Sequence, residues 1–345
     1  MKLRFANKKT KSKPAKQESM LPYLVADVGG THARIGVMAT GDGHDISDCK
    51  TYKCADLSDI QALLKAYRDH LGTALPRNAC IAVAGPVHND IVQLTNLDWQ
   101  FSTADLAKQF DLDNLEVIND FVAVAWAAVT LRPEKVAIVK PGTPDSEAQR
   151  VVLGAGTGLG VAGLMSVDGK WLPIASEGGH ARLGPATELE DELFRRIRQQ
   201  VDHVSSETLL CGSGIVRLYH ALADVHGRQS DSYRPEDITR LGLSGDDPLC
   251  HQTVQLFCGL LGAVAGDLAL LFGAAGGVYI AGDIIRAIQP ALAASDFAAR
   301  FCNKGSMRDY LSQVPVYLIV ADEPGLIGAA AWFESRTQQD TAAVR

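Results

Sequence analysis

The seven cysteines of this 345-residue chain include no C-x-x-C pair. Because they are odd in number and widely spaced, they indicate neither a disulfide framework nor a zinc knuckle, and they are typical of a reducing compartment. Residues 1–20 lack the apolar segment of about 7–15 residues on which a secretory signal depends. We therefore expect a cytoplasmic protein.

Basic charge is scarce outside the first 20 residues. Those residues contain seven lysines and arginines and one acidic side chain, whereas the rest of the chain carries 26 basic and 39 acidic side chains, a formal charge of −13. An acidic surface repels phosphate backbones, so we expect no nucleic-acid partner. The polar, lysine-rich residues 1–20 are expected to form a disordered basic extension.

Long uncharged runs are also rare, and residues 256–282 are the stretch that could imitate a membrane span. Asp267 lies in its middle, and Gly273, Gly276 and Gly277 interrupt it. We predict a buried helix followed by a buried strand, and therefore no membrane partner. The composition, 47% hydrophobic, is that of a globular chain, and the length favours about two domains.

Two segments share one pattern, a short apolar run, a glycine-rich turn and a second apolar run. The first occupies residues 23–38 with its turn at 29–31, and the second occupies residues 151–167 with its turn at 154–160. Each predicts two strands joined by a turn. Their matching positions in the two halves of the chain indicate a diverged duplication.

Strand and helix signals alternate along the rest of the chain. We predict strands over 80–84, 115–119, 278–281 and 316–320, and helices over 103–110, 121–129, 188–200, 214–226 and 325–334. This alternation indicates an α/β fold in which helices cover the sheets of two lobes. The proline-containing residues 132–149 are the predicted linker between the lobes.

The glycine-rich turns predict contacts with phosphate. Glycine lets backbone N–H groups approach an anion closely, and Asp27 beside the first turn could hold a hydrated Mg²⁺. No G-x-x-x-x-G-K-[ST] motif occurs, which excludes a P-loop site. Residues 158–163 fit G-x-G-x-x-G, but a strand pattern follows them where a dinucleotide site requires a helix. Together with a third glycine segment at residues 276–283, the two turns favour a site in which two lobes bind one nucleotide between them. The alternative, in which the glycines only make tight turns, is less favoured.

Two further sites are candidates for chemistry. Asp120 follows a predicted buried strand and precedes a helix, so its carboxylate could either accept a proton or cap the helix. Glu177 and His180 lie on a glycine loop, where they could bind sugar hydroxyls; alternatively, His180 binds backbone within the turn. The residues alone leave both choices open.

Five motifs, taken together, resemble those of bacterial glucokinases. They are residues 27–31 (DVGGT), 118–121 (INDF), 154–160 (GAGTGLG), 177–180 (EGGH) and 276–283 (GGVYIAGD). The resemblance extends from about Tyr23 to Trp332. It implies a two-lobed α/β fold of the actin-like ATPase (ribonuclease H-like) class, shared with hexokinase and Hsp70, with the active site in the interlobe cleft. The implied lobes are residues 21–131 plus 324–345 and residues 132–323.

The resemblance also implies a reaction, the ATP-dependent phosphorylation of D-glucose, with Asp120 as the general base. The implied sugar ligands are Asn96, Asn119, Asp120, Glu177, His180 and Glu207. The implied nucleotide ligands are Ala26, Asp27, Val28, Gly29, Gly30, Thr31, Gly156, Thr157, Gly158, Gly276 and Gly277. ATP and Mg²⁺ are the implied cofactors and a homodimer the implied assembly. Zinc is not expected, because no cysteine cluster accompanies His180.

Two residues depart from the glucokinase pattern. His32 stands where Asn is usual and Asp283 stands where Gly is common, and neither is an implied base or sugar ligand. Other functions of the same fold stay open: a kinase for another hexose or an N-acetyl amino sugar, a non-enzymatic sugar-binding regulator, and an ATPase that needs no sugar. A regulator would need a DNA-binding helix-turn-helix, for which residues 1–20 are too short and too polar.

Overall fold

The computed structural model describes residues 22–39, 46–87 and 90–343. The predicted extension over residues 1–20 lies outside them. The strands are β1 Tyr23–Val28, β2 His32–Met38, β3 Ile46–Lys53, β4 Asn78–Val83, β5 Ile91–Gln93, β6 Gln100–Ser102, β7 Asn114–Asn119, β8 Val136–Lys140, β9 Arg150–Ala155, β10 Leu159–Val167, β11 Lys170–Ser176, β12 Val278–Ala281 and β13 Val316–Ile319. The helices are α1 Ile60–Leu71, α2 Thr103–Gln109, α3 Asp120–Thr130, α4 Glu188–Ile197, α5 Ser206–Leu209, α6 Gly212–Val225, α7 Pro235–Ser244, α8 Pro248–Phe272, α9 Asp283–Ala287, α10 Gln289–Ala294, α11 Phe297–Cys302, α12 Arg308–Gln313 and α13 Pro324–Ala343.

The first sheet has five strands in the order β3-β2-β1-β4-β7. β1 and β2 form the predicted antiparallel hairpin, and Val28 and Ala33 are its last pair before the turn. β1, β4 and β7 run parallel to one another. Because β1 is covered on both faces, its sequence YLVADV is apolar apart from Asp27.

The second sheet repeats this arrangement. Its order is β11-β10-β9-β12-β13-β8, in which β9 and β10 form the other predicted hairpin and β9, β12 and β13 are parallel. The first five of these strands correspond one by one to β3-β2-β1-β4-β7, which supports a duplication. The sixth strand, β8, pairs antiparallel with β13 and lies within residues 132–149. The linker prediction missed this strand because flanking prolines obscure its short apolar run.

Helix α3 is packed between the two sheets. Val122, Ala123 and Trp126 belong to a core cluster with the first sheet and α13. Ala125 and Ala128 belong to a second cluster with strands of the other sheet. A helix buried on two sides needs apolar residues all round, and the sequence DFVAVAWAAVT has no polar face beyond its first residue. Its N-terminus therefore lies between the two sheets.

Helix α8 is the predicted buried helix, and it is longer than the sequence pattern indicated. Asp247 caps its first turn by accepting hydrogen bonds from Leu249 N and Cys250 N, and Gly273 ends it with a φ of 59°. Among the described residues, α8 is the one helix long and apolar enough to cross a membrane, but 67% of its most apolar window is buried within the protein. It leads into the buried strand β12, as predicted.

The close packing of α13 on α3 can be tested through the stability of the protein. A Cβ atom at Gly328 would overlap the carbonyl oxygen of Ala123. We expect Gly328→Ala to lower the free energy of unfolding by about 1–3 kcal/mol, because the two helices would have to separate. Urea unfolding followed by circular dichroism measures this change.

Gly259→Ala in α8 is the matched control for this substitution. Its added Cβ would lie 3.7 Å from the nearest atom, in Arg300, which is an ordinary contact. Alanine favours a helix over glycine by up to ~1 kcal/mol, so we expect no loss of stability. An equal effect of the two substitutions would contradict the packing of α13 on α3.

Candidate active site

The carboxyl ends of three parallel strands form the edge at which the first glycine-rich turn and Asp120 meet. Val28 of β1 pairs with Val83 of β4, and Val83 pairs with Asn119 of β7. The turn at 29–31 and Asp120, which follow these strands, therefore share one edge of the first sheet. Ligand crevices of α/β proteins lie at this end of their strands.

The first glycine-rich turn is held by Cys54, a residue that the sequence pattern does not single out. The N–H of Cys54 donates to Thr31 O at 2.9 Å, and its buried thiol donates to Gly29 O at 3.3 Å. Gly29 N donates to His32 O at 3.0 Å. His32 contributes to the turn through its main-chain oxygen. The presence of His in place of the usual Asn therefore leaves this hydrogen bond intact.

Asn96 lies against the first turn. A Cβ atom at Gly30 would come within 2.8 Å of the Asn96 Cβ, so this approach needs a glycine. The loop that carries Asn96, residues 93–98, is closed by a hydrogen bond from Leu94 N to Trp99 O at 3.0 Å. Trp99 is buried in a hydrophobic cluster that packs against the first sheet, and it anchors the loop there.

The second glycine-rich turn is joined to Glu207. Within the turn, Gly156 N donates to Gly158 O at 2.9 Å, and Gly156 O accepts from Gly212 N of α6 at 2.9 Å. Glu207 Oε2 accepts from Leu159 N at 2.7 Å, and a Cβ atom at Gly158 would overlap the same carboxylate. The turn therefore fixes the position of Glu207.

Asp120 is the first residue of α3, and Asn119 caps the helix. Asn119 Oδ1 accepts hydrogen bonds from Phe121 N at 3.0 Å and from Val122 N at 3.2 Å. Asn119 Nδ2 donates to Gly85 O at 3.2 Å. The alternative in which Asp120 is the cap is therefore wrong. The Asp120 carboxylate accepts a hydrogen bond from Phe121 N at 2.9 Å.

The charge state of Asp120 is set by its surroundings. Burial, followed by the negative charges of Asp27 and Glu177, raises the pKa of Asp120 to about 7 against the opposing effect of the hydrogen bond from Phe121 N. A carboxyl group that titrates near neutrality can both accept and release a proton at cellular pH. Asp120 therefore has the electrostatics of a general base.

Asp27 is a second partly buried carboxylate on this edge. Burial raises the pKa of Asp27 to about 6; its cross-strand partner Arg34 opposes the shift and Glu323 adds to it. Arg34 Nε lies 2.6 Å from Glu323 Oε2, an ion pair that joins β2 to the loop before α13. A Cβ atom at Gly325 would overlap the Asp27 carboxylate, so the start of α13 lies directly against it.

Three of the predicted sugar ligands form an open polar cluster. His180 Nε2 lies 3.9 Å from Glu177 Oε2, and His180 Nδ1 lies 3.8 Å from Glu207 Oε1. The side chains of His180 and Glu177 are 60% and 76% exposed, so the cluster can receive a ligand. His203, which lies in the segment before α5, approaches His180 O with its Nε2 at 3.0 Å and holds the loop.

The structure does not bring Gly276 and Gly277 to this site. They precede β12, whose first residue pairs with Val151 near the start of β9, so they lie at the opposite end of the sheet from the second turn. We therefore correct the prediction that Gly276 and Gly277 lie at the nucleotide site. The error arose because the motif at residues 276–283 contains glycines at both ends of β12. Gly282, at the carboxyl end, has a φ of 107°, and a Cβ atom there would overlap Ala155 O beside the turn.

Comparisons with known proteins identify the family of the chain. The family model named glucokinase matches residues 24–336. The glucokinase of Saccharophagus degradans is 42% identical over 317 residues, which cover 91% of this chain and 99% of that relative. A crystal structure of glucokinase from an Antarctic psychrotroph is similar with a TM-score of 0.82 at 39% identity, covering 92% of this chain and 99% of the other.

A more distant structure shows the same fold. The ROK family glucokinase from Streptomyces griseus, solved in complex with glucose and AMPPNP, has a TM-score of 0.62 at 19% identity and covers 90% of this chain and 98% of its own. The predicted class, an α/β actin-like ATPase fold, is thereby confirmed. With a family match and close relatives that span most of its length, this chain belongs to the glucokinase family.

Proposed function

We propose that this protein transfers the γ-phosphoryl group of ATP to the 6-hydroxyl of D-glucose, at the head of glycolysis. The observation that carries the proposal is Asp120, a partly buried carboxylate whose pKa is raised to about 7 at the edge shared with the first glycine-rich turn. Membership of the glucokinase family supports the choice of sugar and of ATP.

Asp120 acts as the general base in this proposal. Its carboxylate accepts the proton of the 6-hydroxyl while the sugar oxygen forms a bond to the γ-phosphorus and the bond from that phosphorus to the β-phosphate oxygen breaks. Glucose 6-phosphate and ADP are released, and Asp120 returns its proton to solvent. The hydrogen bond from Phe121 N orients the carboxylate during this step.

The sugar is held by the residues around the polar cluster. Glu177, His180 and Glu207 accept or donate hydrogen bonds to the remaining hydroxyls, as their open arrangement permits. Asn96 contributes from the loop against the first turn. Asn119 contributes through the second N–H of its Nδ2 group, because the first donates to Gly85 O and the Oδ1 atom is occupied in capping α3.

The nucleotide phosphates are held by the two glycine-rich turns, residues 26–31 and 156–158, through backbone N–H groups other than those of Gly29 and Gly156, which donate within the turns. Such turns bind anions through N–H dipoles and need no basic side chains. Gly282 beside the second turn replaces Gly276 and Gly277 in this site, because its backbone lies against Ala155.

Asp27 is the residue that would hold Mg²⁺, through water. The donor set fits, because carboxylate oxygens are ligands that Mg²⁺ prefers, and the charge of Asp27 acts on the nearby Asp120 as a secondary cause of its raised pKa, after burial. When bound with ATP, Mg²⁺ neutralises charge on the phosphates. Within residues 22–39, 46–87 and 90–343, no three His, Cys, Asp or Glu side chains are grouped to bind a metal, and the absence of zinc stays a prediction.

We extend the proposal to the division of the chain into lobes, its assembly and its cellular location. We propose that residues 21–131 with 324–345 form one lobe and residues 132–323 the other, which is supported by the packing of α13 against α3 and β1. We also propose a cytoplasmic homodimer without nucleic-acid or membrane partners, in keeping with the charge of −13 outside the first 20 residues.

The substitution Asp120→Asn tests the base. We expect kcat to fall by about 10²-fold or more, because no group remains to take the hydroxyl proton, while KM for glucose and for ATP changes little. ADP release in a coupled assay measures these constants. Turnover close to that of the unsubstituted protein would remove Asp120 from the mechanism.

Asp105→Asn is the matched control for this substitution, because Asp105 also lies in the first turn of a helix but is exposed. It should leave kcat unchanged.

The same assay with D-glucose, D-mannose and N-acetylated amino sugars identifies the substrate. Faster turnover with another sugar would redirect the substrate and leave the base in place.

The raised pKa of Asp120 predicts a pH-dependent cost to folding. The group ionises at an ordinary pKa of 3.8 when unfolded and at about 7 when folded, so the free energy of unfolding falls as the pH rises through that window. Asp120→Asn cannot ionise, and we expect its stability relative to the unsubstituted protein to grow by a few kcal/mol between about pH 5 and pH 8. Urea unfolding at both pH values measures the difference. A difference that does not change with pH would show an ordinary carboxyl group.

Substitutions of Cys54 test the support of the first turn. Cys54→Ala removes the hydrogen bond to Gly29 O, and we expect KM for ATP to rise about 2- to 10-fold with KM for glucose unchanged, as the loss of one hydrogen bond allows. Cys54→Ser keeps a donor at this position and should restore KM. If serine and alanine behave alike, the thiol does not hold the turn.

A further inference from the structure

The ring of Phe121 packs against a pair of glycines on the second sheet. Gly154 of β9 and Gly160 of β10 are direct partners in the antiparallel ladder. A Cβ atom at Gly154 would lie 3.0 Å from two ring atoms of Phe121, and one at Gly160 would overlap the ring itself. We call Gly154 and Gly160 the glycine socket. The absence of two facing side chains lets the aromatic ring contact the sheet backbone directly.

The same residue is bonded to the carboxylate at the start of α3. Phe121 N donates to Asp120 Oδ1 at 2.9 Å and to Asn119 Oδ1 at 3.0 Å. Its side chain contacts one lobe while its main chain binds a carboxylate at the edge of the other. The ring contact and the hydrogen bond to the Asp120 carboxylate are thus made by one residue.

The glycine socket also adjoins the second glycine-rich turn. Gly154 and Gly160 are the second residues outward from the turn at 156–158 on either strand. A ring packed against these two residues lies only two positions from the turn on each strand, and close-packed contacts of this kind resist displacement. The contact thus connects Asp120 to the turn proposed to hold phosphate.

We propose that Phe121 is a positioning residue that sets the distance between the Asp120 carboxylate and the second glycine-rich turn by seating its ring in the glycine socket. This inference rests on the proposed role of Asp120. Proton transfer and phosphoryl transfer must be aligned, and a displacement of about 1 Å can lower a rate 10²-fold.

Gly160→Ala tests the proposal by filling the socket. We expect kcat to fall between about 10- and 10²-fold with KM for glucose and ATP within about threefold, because binding groups stay in place while the base is displaced. Gly160→Ala combined with Phe121→Leu makes room for the added methyl group and should recover at least part of the lost kcat. Unchanged kcat in Gly160→Ala would overturn the proposal.

Gly163→Ala is the matched control on the same strand. A Cβ atom at Gly163 would come within 2.5 Å of the ring of Phe272, at the end of α8 and away from Asp120. It introduces the same kind of clash and should lower thermal stability while leaving kcat unchanged. An equal loss of kcat in both variants would show a general effect on folding and would overturn the positioning role.

A double-mutant cycle separates this proposal from the proposed base. If the socket acts through Asp120, Gly160→Ala causes little further loss in the Asp120→Asn background. An equal loss in both backgrounds would overturn the proposal, whereas normal turnover of Asp120→Asn alone would overturn the proposed base. If Gly160→Ala does not fold, Phe121→Leu alone carries the test, with a loss of kcat at unchanged KM supporting the proposal and normal kcat refuting it.

Discussion

The packing of helix α3 between two sheets is the interaction on which the site depends. One side of the helix contacts the first sheet and α13, and the other contacts strands of the second sheet. Because protein interiors are close-packed, neither lobe can move without acting on this helix. The helix begins at Asp120, and the ring that follows is seated against Gly154 and Gly160. The partly buried carboxylate of Asp120 is thereby placed relative to both lobes by apolar contacts.

The electrostatics of the site follow from this burial. Asp27 and Asp120 are acidic groups in a place that disfavours their charge, which costs stability and raises both pKa values. Retaining them is understandable if the chemistry needs a group that titrates near neutrality. Phosphate is proposed to bind backbone dipoles, so an acidic protein surface and a nucleotide site can coexist without a basic cleft.

The sequence predicts the parts of this structure that depend on local pattern. The two glycine-rich turns between apolar runs became hairpins, and Asp120 came to the carboxyl edge of a sheet, although the strand before it, β7, is only partly buried rather than buried as predicted. Features that depend on contacts between distant segments were missed. Cys54 reaches the first turn from 25 residues away, and the ring of Phe121 meets Gly160 from another lobe. The choice between Gly276 and Gly282 required the direction and length of β12, which a motif alone does not give.

The charge state of Asp120 is the most direct test of the account. Carboxyl carbons of aspartate labelled with ¹³C can be titrated by NMR in the free protein, and the Asp120 signal can be assigned by its loss in Asp120→Asn. We predict a midpoint raised to about pH 7 for this group. A midpoint near its ordinary value of 3.8 would contradict a buried base at the start of α3.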